Sequence, residues 1–321
     1  MRFIFGFLCA LANLMLVQPA TAQTRVDALT AIVDVRDADR FAALFARTDG
    51  HPTADQLQRE YLDKGSDGVR IFTPGRIENA KALADHVAAN RDQYRRAIDH
   101  CLPLARQSNA DLRAIYLALR GLYPDRPLPR IYIVFGRGNS GGTANPEAQV
   151  LGLEVLCDPL PEPAVFRQRL RMFFAHETVH TWQPANGGNQ TDLLLRAALA
   201  EGAADYVASL VLGAAPSPER EAWAAPREAE VWREFLRDVA ATRSLTDAQY
   251  EGNKPAITAL RRWIGNYGAA PEGWPFEMGY WVGMRIWQRY VASAADKNAA
   301  IETVLRWTDP EAILAAGGFK P

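Results

Sequence analysis

Cysteine and histidine are both scarce in this chain, at three and five of 321 residues. Three cysteines are too few for a disulfide scaffold, and they lack Cys-x-x-Cys spacing. An excess of one charge is also lacking. Lys and Arg number 36 and Asp and Glu 37, for a formal net charge of −1. Such a balance points neither to nucleic acid nor to an anionic membrane surface as a partner. The chain has no internal repeat and no low-complexity tract. After its first 22 residues, no stretch is apolar enough to cross a bilayer, which takes about 20 apolar residues.

Those first residues read as an export signal. Met1-Arg2 is a short positive start, residues 3–17 are apolar except for Asn13, and Ala20-Thr21-Ala22 is a small-x-small cleavage site. The mature chain is expected to begin at Gln23, outside the cytoplasm, either periplasmic or secreted. An uncleaved anchor is the alternative; with cleavage, no stable membrane insertion remains. Cys9 leaves with the signal. Cys101 and Cys157 remain as a disulfide candidate or as two buried thiols.

The periodicity of the remainder is mostly helical. Residues 36–47, 77–97 and 110–122 carry apolar side chains at helical spacing. The period then changes. Residues 130–135 and 149–156 read as strands, joined as a hairpin by a Gly/Ser/Asn/Pro loop at 136–148. Helices are expected again at 164–182, 191–212, 227–241, 255–266, 276–294 and 298–307. Helices, a short sheet and more helices make an α+β fold that is predominantly helical.

The most informative string is His176-Glu177-Thr178-Val179-His180, inside the expected helix 164–182. Residues four apart share a helix face, so both imidazoles can converge on one Zn²⁺. Glu177 then sits beside the metal, where its carboxylate can hold a water and accept its proton. By chance this pattern is expected on the order of once in a hundred such chains. Two histidines and a glutamate on an otherwise apolar helix are costly without partners. The third ligand is expected to be Glu201, returned to the site by an antiparallel helix after a loop at 184–189. Asp205, one turn further on, is placed to accept a hydrogen bond from a liganding histidine. The small residues Gly202, Ala203 and Ala204 would let the two helices approach closely.

His-Glu-Thr-Val-His followed by Glu201-Gly-Ala-Ala-Asp205 resembles the gluzincin metallopeptidases, in which a glutamate on the next long helix completes the zinc site. More narrowly, the chain resembles an uncharacterised bacterial family of predicted zinc-dependent proteases. That resemblance also rests on the strings around Tyr61-Leu-Asp-Lys-Gly65-Ser66-Asp-Gly68, Gly136 to Thr143, and Gly279-Tyr280-Trp-Val-Gly283. It implies a zincin-like domain over 23–321, with a helical part 23–128, the sheet and zinc helices 129–213, and a helical part 214–321. It implies one Zn²⁺ per chain and a peptide or protein substrate. Glu177 is the general base, and Tyr280 is a candidate to stabilise the oxyanion; the alternative is that Tyr280 packs as an aromatic beside Trp281, Met284 and Trp287. An edge strand would border the cleft and pair with extended substrate, and either expected strand is a candidate. The His-x-x-Gly-x-x-His continuation of metzincins is absent. So is the Gly-x-Met-Glu-Asn string of gluzincin aminopeptidases, which tilts the reading towards an endopeptidase.

Other signals carry less. Gly136-Arg-Gly138-Asn-Ser-Gly141 matches a dinucleotide fingerprint but is expected to continue as a loop and a strand, with no helix. Ser66 and Ser140 lie in no nucleophile elbow. His51, His86 and His100 read as surface residues, Gln183 as helix-end packing, and Glu154 as a solvent-facing edge position. Two further readings stand beside the peptidase: a non-catalytic zinc-containing binding or envelope-assembly protein, and a hydrolase of non-peptide amides or esters. Glu177 weighs against the former, because a structural zinc needs no general base and is usually closed by four protein ligands.

Overall fold

The computed structural model describes residues 26–184, 191–250, 252–266 and 269–318. The expected signal at 1–22, its cleavage point before Gln23 and most of the 184–189 loop lie outside the described residues. The described chain is predominantly helical and holds one small four-stranded mixed sheet, an α+β fold. The strands are β1 (Val33–Asp34), β2 (Arg130–Val134), β3 (Gly142–Asn145) and β4 (Ala148–Gly152), in the order β1-β2-β4-β3. β1 and β4 run parallel to β2, and β3 runs antiparallel to β4.

The hairpin expected between 130–135 and 149–156 does not form. The two segments are parallel neighbours in the sheet interior. Ile131, Tyr132, Ile133 and Val134 are all buried, the continuous apolar run of a strand covered on both faces. The second segment leaves the sheet at Gly152, and Leu153–Leu156 turns into a short helix. An apolar run that short does not distinguish strand from helix. Neither segment is therefore the edge strand. That role falls to β3, inside the stretch expected to be loop. Asn145 turns the chain from β3 into β4 by accepting the backbone N–H of Glu147 and of Ala148, each at 2.9 Å.

The longest helices among the described residues are α1 (Arg36–Arg47), α2 (Asn109–Leu122), α3 (Pro163–Trp182), α4 (Leu193–Leu212), α5 (Glu228–Thr242) and α6 (Met278–Ser293); α1 and α3 pack on the sheet, and α4 packs on α3 and α6. The helix expected over 77–97 is interrupted. Asn79 caps Ala80–Ala89 by accepting the Ala82 N–H, and at Asn90 the chain leaves helical geometry before resuming at Arg91–Arg96. A disulfide joins Cys101 and Cys157, with Cα atoms 6.1 Å apart. It ties the N-terminal helices to the segment that follows β4. Buried residues from the N-terminal helices, the sheet and the C-terminal helices form one continuous core. No helix of the described residues is long and apolar enough to cross a membrane.

Two contacts fix the positions of α3 and α4. Gln149 of β4 is fully buried and donates to the carbonyl of Phe174 and to Thr178 Oγ1, at 3.2 and 2.8 Å, which holds α3 beneath the sheet. α4 crosses α6 backbone to backbone. A Cβ at Gly202 would run into the backbone of Gly283, and one at Gly283 into the carbonyl of Ala198. Gly202 thus serves the approach of α4 to α6, and not the approach of α4 to α3 expected from its place in the sequence.

Candidate metal centre

His176 and His180 lie on the buried face of α3, and Glu201 faces them from α4. One ligand atom from each of the three lies within 4.8 Å of the others. The Nε2 atoms of the two histidines are 3.0 Å apart. Glu201 Oε2 is 3.3 Å from His176 Nε2 and 3.2 Å from His180 Nε2. This Oε2 is buried and has no hydrogen-bond partner among the described residues.

The outer hydrogen bonds decide which nitrogens carry protons. His176 Nδ1 lies 2.9 Å from Asp205 Oδ1, a carboxylate oxygen that only accepts. Gln183 donates its amide to the Ala200 carbonyl at 2.8 Å, so its oxygen is the atom turned to His180 Nδ1, at 2.7 Å. Both Nδ1 atoms are therefore donors. In the neutral imidazoles this leaves both Nε2 lone pairs aimed at each other and at Glu201 Oε2. Three lone-pair atoms at about 3 Å with no proton between them repel, and a cation removes that repulsion. Two imidazoles and a carboxylate are the donor set of a divalent transition metal, zinc above all.

Charge in the site points the same way. Burial disfavours the imidazolium of His176, but the hydrogen bonds and negative charges of Asp205 and Glu201 outweigh it and raise its pKa to about 10. His180 is likewise raised against its burial, by Glu201. Glu201 is buried, yet the two histidines hold its carboxyl well below the usual carboxylate range. The two carboxylates thus favour a positive charge among these groups, which a bound cation supplies without a proton on either Nε2.

Asp205, 2% exposed, is held in turn by Arg220, whose Nη1 lies 3.1 Å from Oδ2. Arg220 also donates to the Glu277 carbonyl at 3.3 Å and stacks over the Tyr280 ring. The Tyr280 ring lies parallel to His176, with centroids 5.7 Å apart. The candidate Tyr280 therefore packs against one of the two clustered histidines. Burial and then the neighbouring Glu201 keep its hydroxyl protonated far above the usual range. The close crossing of α4 and α6 at Gly202 and Gly283 brings it there.

Glu177 is buried on α3, and its carboxylate lies against β3. A Cβ at Gly142 would come within 2.7 Å of Glu177 Oε1. The bare backbone of Gly142 lets the carboxylate and the edge strand share one wall. β3 keeps an intermediate exposure at all four residues.

Gln183 is more than helix-end packing, because it orients His180. Glu154 does not face solvent. It is fully buried and accepts the Gly138 N–H at 3.1 Å, supporting the loop that leads into β3. Its carboxyl is pushed up to about 7 by burial, against backbone hydrogen bonds from Gly136 and Gly138. That segment opens no helix, consistent with rejection of the dinucleotide reading. Ser140 Oγ donates to the Gly142 carbonyl at 2.7 Å, and Ser66 caps Asp67–Phe72. Tyr61, from the same N-terminal string, both donates to and accepts from the backbone of Phe135. His51 and His100 are exposed, while His86 is half-buried against Gly138. Arg220 escaped the sequence reading, since a lone arginine 15 residues after Asp205 has no local pattern.

Compared with known proteins, the chain matches no family model, no curated protein and no solved structure.

Proposed function

We propose that this chain is an exported, zinc-dependent peptidase of gluzincin type, working in the periplasm or beyond the cell. The observation that carries the reading is the convergence of His176 Nε2, His180 Nε2 and Glu201 Oε2, with Glu177 beside them at the edge of the sheet. Zinc held by those three atoms supplies a Lewis acid that polarises a carbonyl and lowers the pKa of water. Glu177 takes the proton of the attacking water and returns it to the leaving amine. The phenol of Tyr280 donates to the oxygen on which negative charge develops. Asp205 and Gln183 hold the two imidazoles in the tautomer that leaves Nε2 free, and Arg220 holds Asp205. Among the described residues β3 has one strand neighbour, β4, and strand addition on its other edge would seat an extended peptide. The Cys101–Cys157 disulfide supports export, since such bonds persist in oxidising compartments.

Glu177→Gln tests the assignment. Hydrolysis of a diverse peptide library should fall by about 10²–10⁴-fold while bound zinc is retained. A fully active variant contradicts the mechanism. Zinc binding by the wild type with no peptide cleaved would favour the non-catalytic binding protein.

A further inference from the structure

Arg76 is a charged side chain for which the proposed hydrolysis has no use. The turn that presents it is unusual. Pro74 leaves helical geometry (ψ 117°), Gly75 is left-handed (φ 72°), and Glu78 adopts φ 66°, a conformation that L side chains seldom take. The loop before β3 fastens this turn at several points. Asn139 donates to the Gly75 carbonyl at 2.9 Å, and Arg137 donates its backbone N–H to the Arg76 carbonyl at 3.0 Å. The Arg137 side chain pairs with Glu78. Strained backbone that is held this firmly is a reason to ask what it positions.

It positions a guanidinium. Arg76 Nε lies 3.4 Å from Ser140 Oγ, and Ser140 in turn donates to the Gly142 carbonyl, the first residue of β3. Arg76 also lies over the Phe72 ring at 5.9 Å. The side chain is half-buried, and among the described residues no carboxylate pairs with it. Glu177 is near enough to favour its charged form, but burial dominates and lowers its pKa. Among the described residues, half-buried Arg40, Arg171, Arg220, Arg262 and Arg285 lie against Asp or Glu, while Arg113, Arg169 and Arg196 donate to backbone carbonyls; Arg76 has one such bond, from Nη1 to the Pro74 carbonyl at 3.4 Å, and its Nη2 has none. A half-buried guanidinium near Glu177 and the start of β3 without a carboxylate partner is suited to an anionic group on the ligand, which it grips with two parallel hydrogen bonds.

The strand direction says which end of the ligand carries that group. Antiparallel pairing is the more stable mode, and it sets the C-terminal half of an added peptide against the N-terminal end of β3. We propose that Arg76 is the carboxylate-recognising residue of this cleft, binding either the free C-terminus or an acidic side chain on the leaving side of a peptide paired with β3. The inference rests on the peptidase reading insofar as that reading lays substrate along β3.

The test separates the two. Zinc-loaded protein carrying Glu177→Gln is titrated with three N-acetylated hexapeptides of otherwise neutral sequence. One ends in a free carboxylate, one in an amide, and one in an amide with a glutamate in its C-terminal half. At least one carboxylate peptide should bind about ten- to a hundred-fold more tightly than the neutral amide, the range of a charge-assisted contact. The tighter of the two identifies the source of the carboxylate. Adding Arg76→Gln should abolish the ratio, and Arg76→Lys should keep part of it; melting temperatures check that both variants fold. Equal affinities for all three peptides, no binding of any, or a preference that survives Arg76→Gln overturns the role of Arg76. Arg76-dependent binding together with a wild-type enzyme that cleaves none of the peptides would instead sink the peptidase reading and leave this one standing.

Discussion

Asp205 accepts from His176 on one oxygen and from Arg220 on the other, so a buried carboxylate links the histidine to a cation. Replacing it with asparagine keeps the shape but removes the charge that holds His176 in its tautomer. Asp205→Asn should weaken zinc binding by about 10–100-fold, read by competition with a chromophoric chelator. Glu154 makes the opposite electrostatic case. Its folded pKa of about 7 lies above the ordinary 4.5, so between those values the native state holds a proton that the unfolded chain has lost. Its contribution is full below about pH 4.5 and is lost as pH rises towards 7, for a change of about 3 kcal/mol. Urea denaturation across pH 4.5–8 should show this decline, and Glu154→Gln should flatten it. At this scale the sequence was legible where chemistry obeys a period. His176 and His180 share a helix face whatever surrounds them. Arg76 and Arg220 were not legible, because a turn and a tertiary contact place them and neither leaves a local signature. Glu154 looked like an edge residue because a lone acid in an apolar run is the same string whether it points to water or to backbone N–H groups.

Helices were the legible elements. α1, α2, α3, α5 and α6 begin and end within two residues of the bounds set by apolar spacing, proline and glycine. The sheet was less so. Gly142-Thr-Ala-Asn145 is short and has no apolar alternation, so the strand that borders the site was hidden in what reads as a loop. The strands at 130–134 and 148–152 were found, but their partnership was mistaken, since apolar runs do not encode direction. The α4–α6 crossing belongs to this scale too. A methyl group at Gly283 has no room against the Ala198 carbonyl, so the helices must part. Gly283→Ala should cost about 1–3 kcal/mol in denaturation and should also weaken zinc binding, because Glu201 and Tyr280 ride on the two helices that separate. A variant of wild-type stability and affinity would show that the crossing does not position the site.

Across the whole molecule, candidate ligands from α3 and α4, the Tyr280 ring from α6 and an edge strand meet at one place, on one continuous core braced by a disulfide. The α+β class and the clustering of His176, His180 and Glu201 followed from periodicity and motif. The surroundings of the site did not, because they are assembled from segments far apart in sequence, such as Asp205 with Arg220 and β3 with Glu177. The measurement that tests the account most directly is the metal content of protein purified without chelator, by elemental analysis, for the wild type, His176→Ala and Glu201→Ala. One zinc per chain in the wild type, lost or sharply weakened in both folded variants, is the predicted result. A wild type that takes up no zinc when offered it, or a Glu201→Ala protein that holds zinc as tightly as its parent, would contradict it.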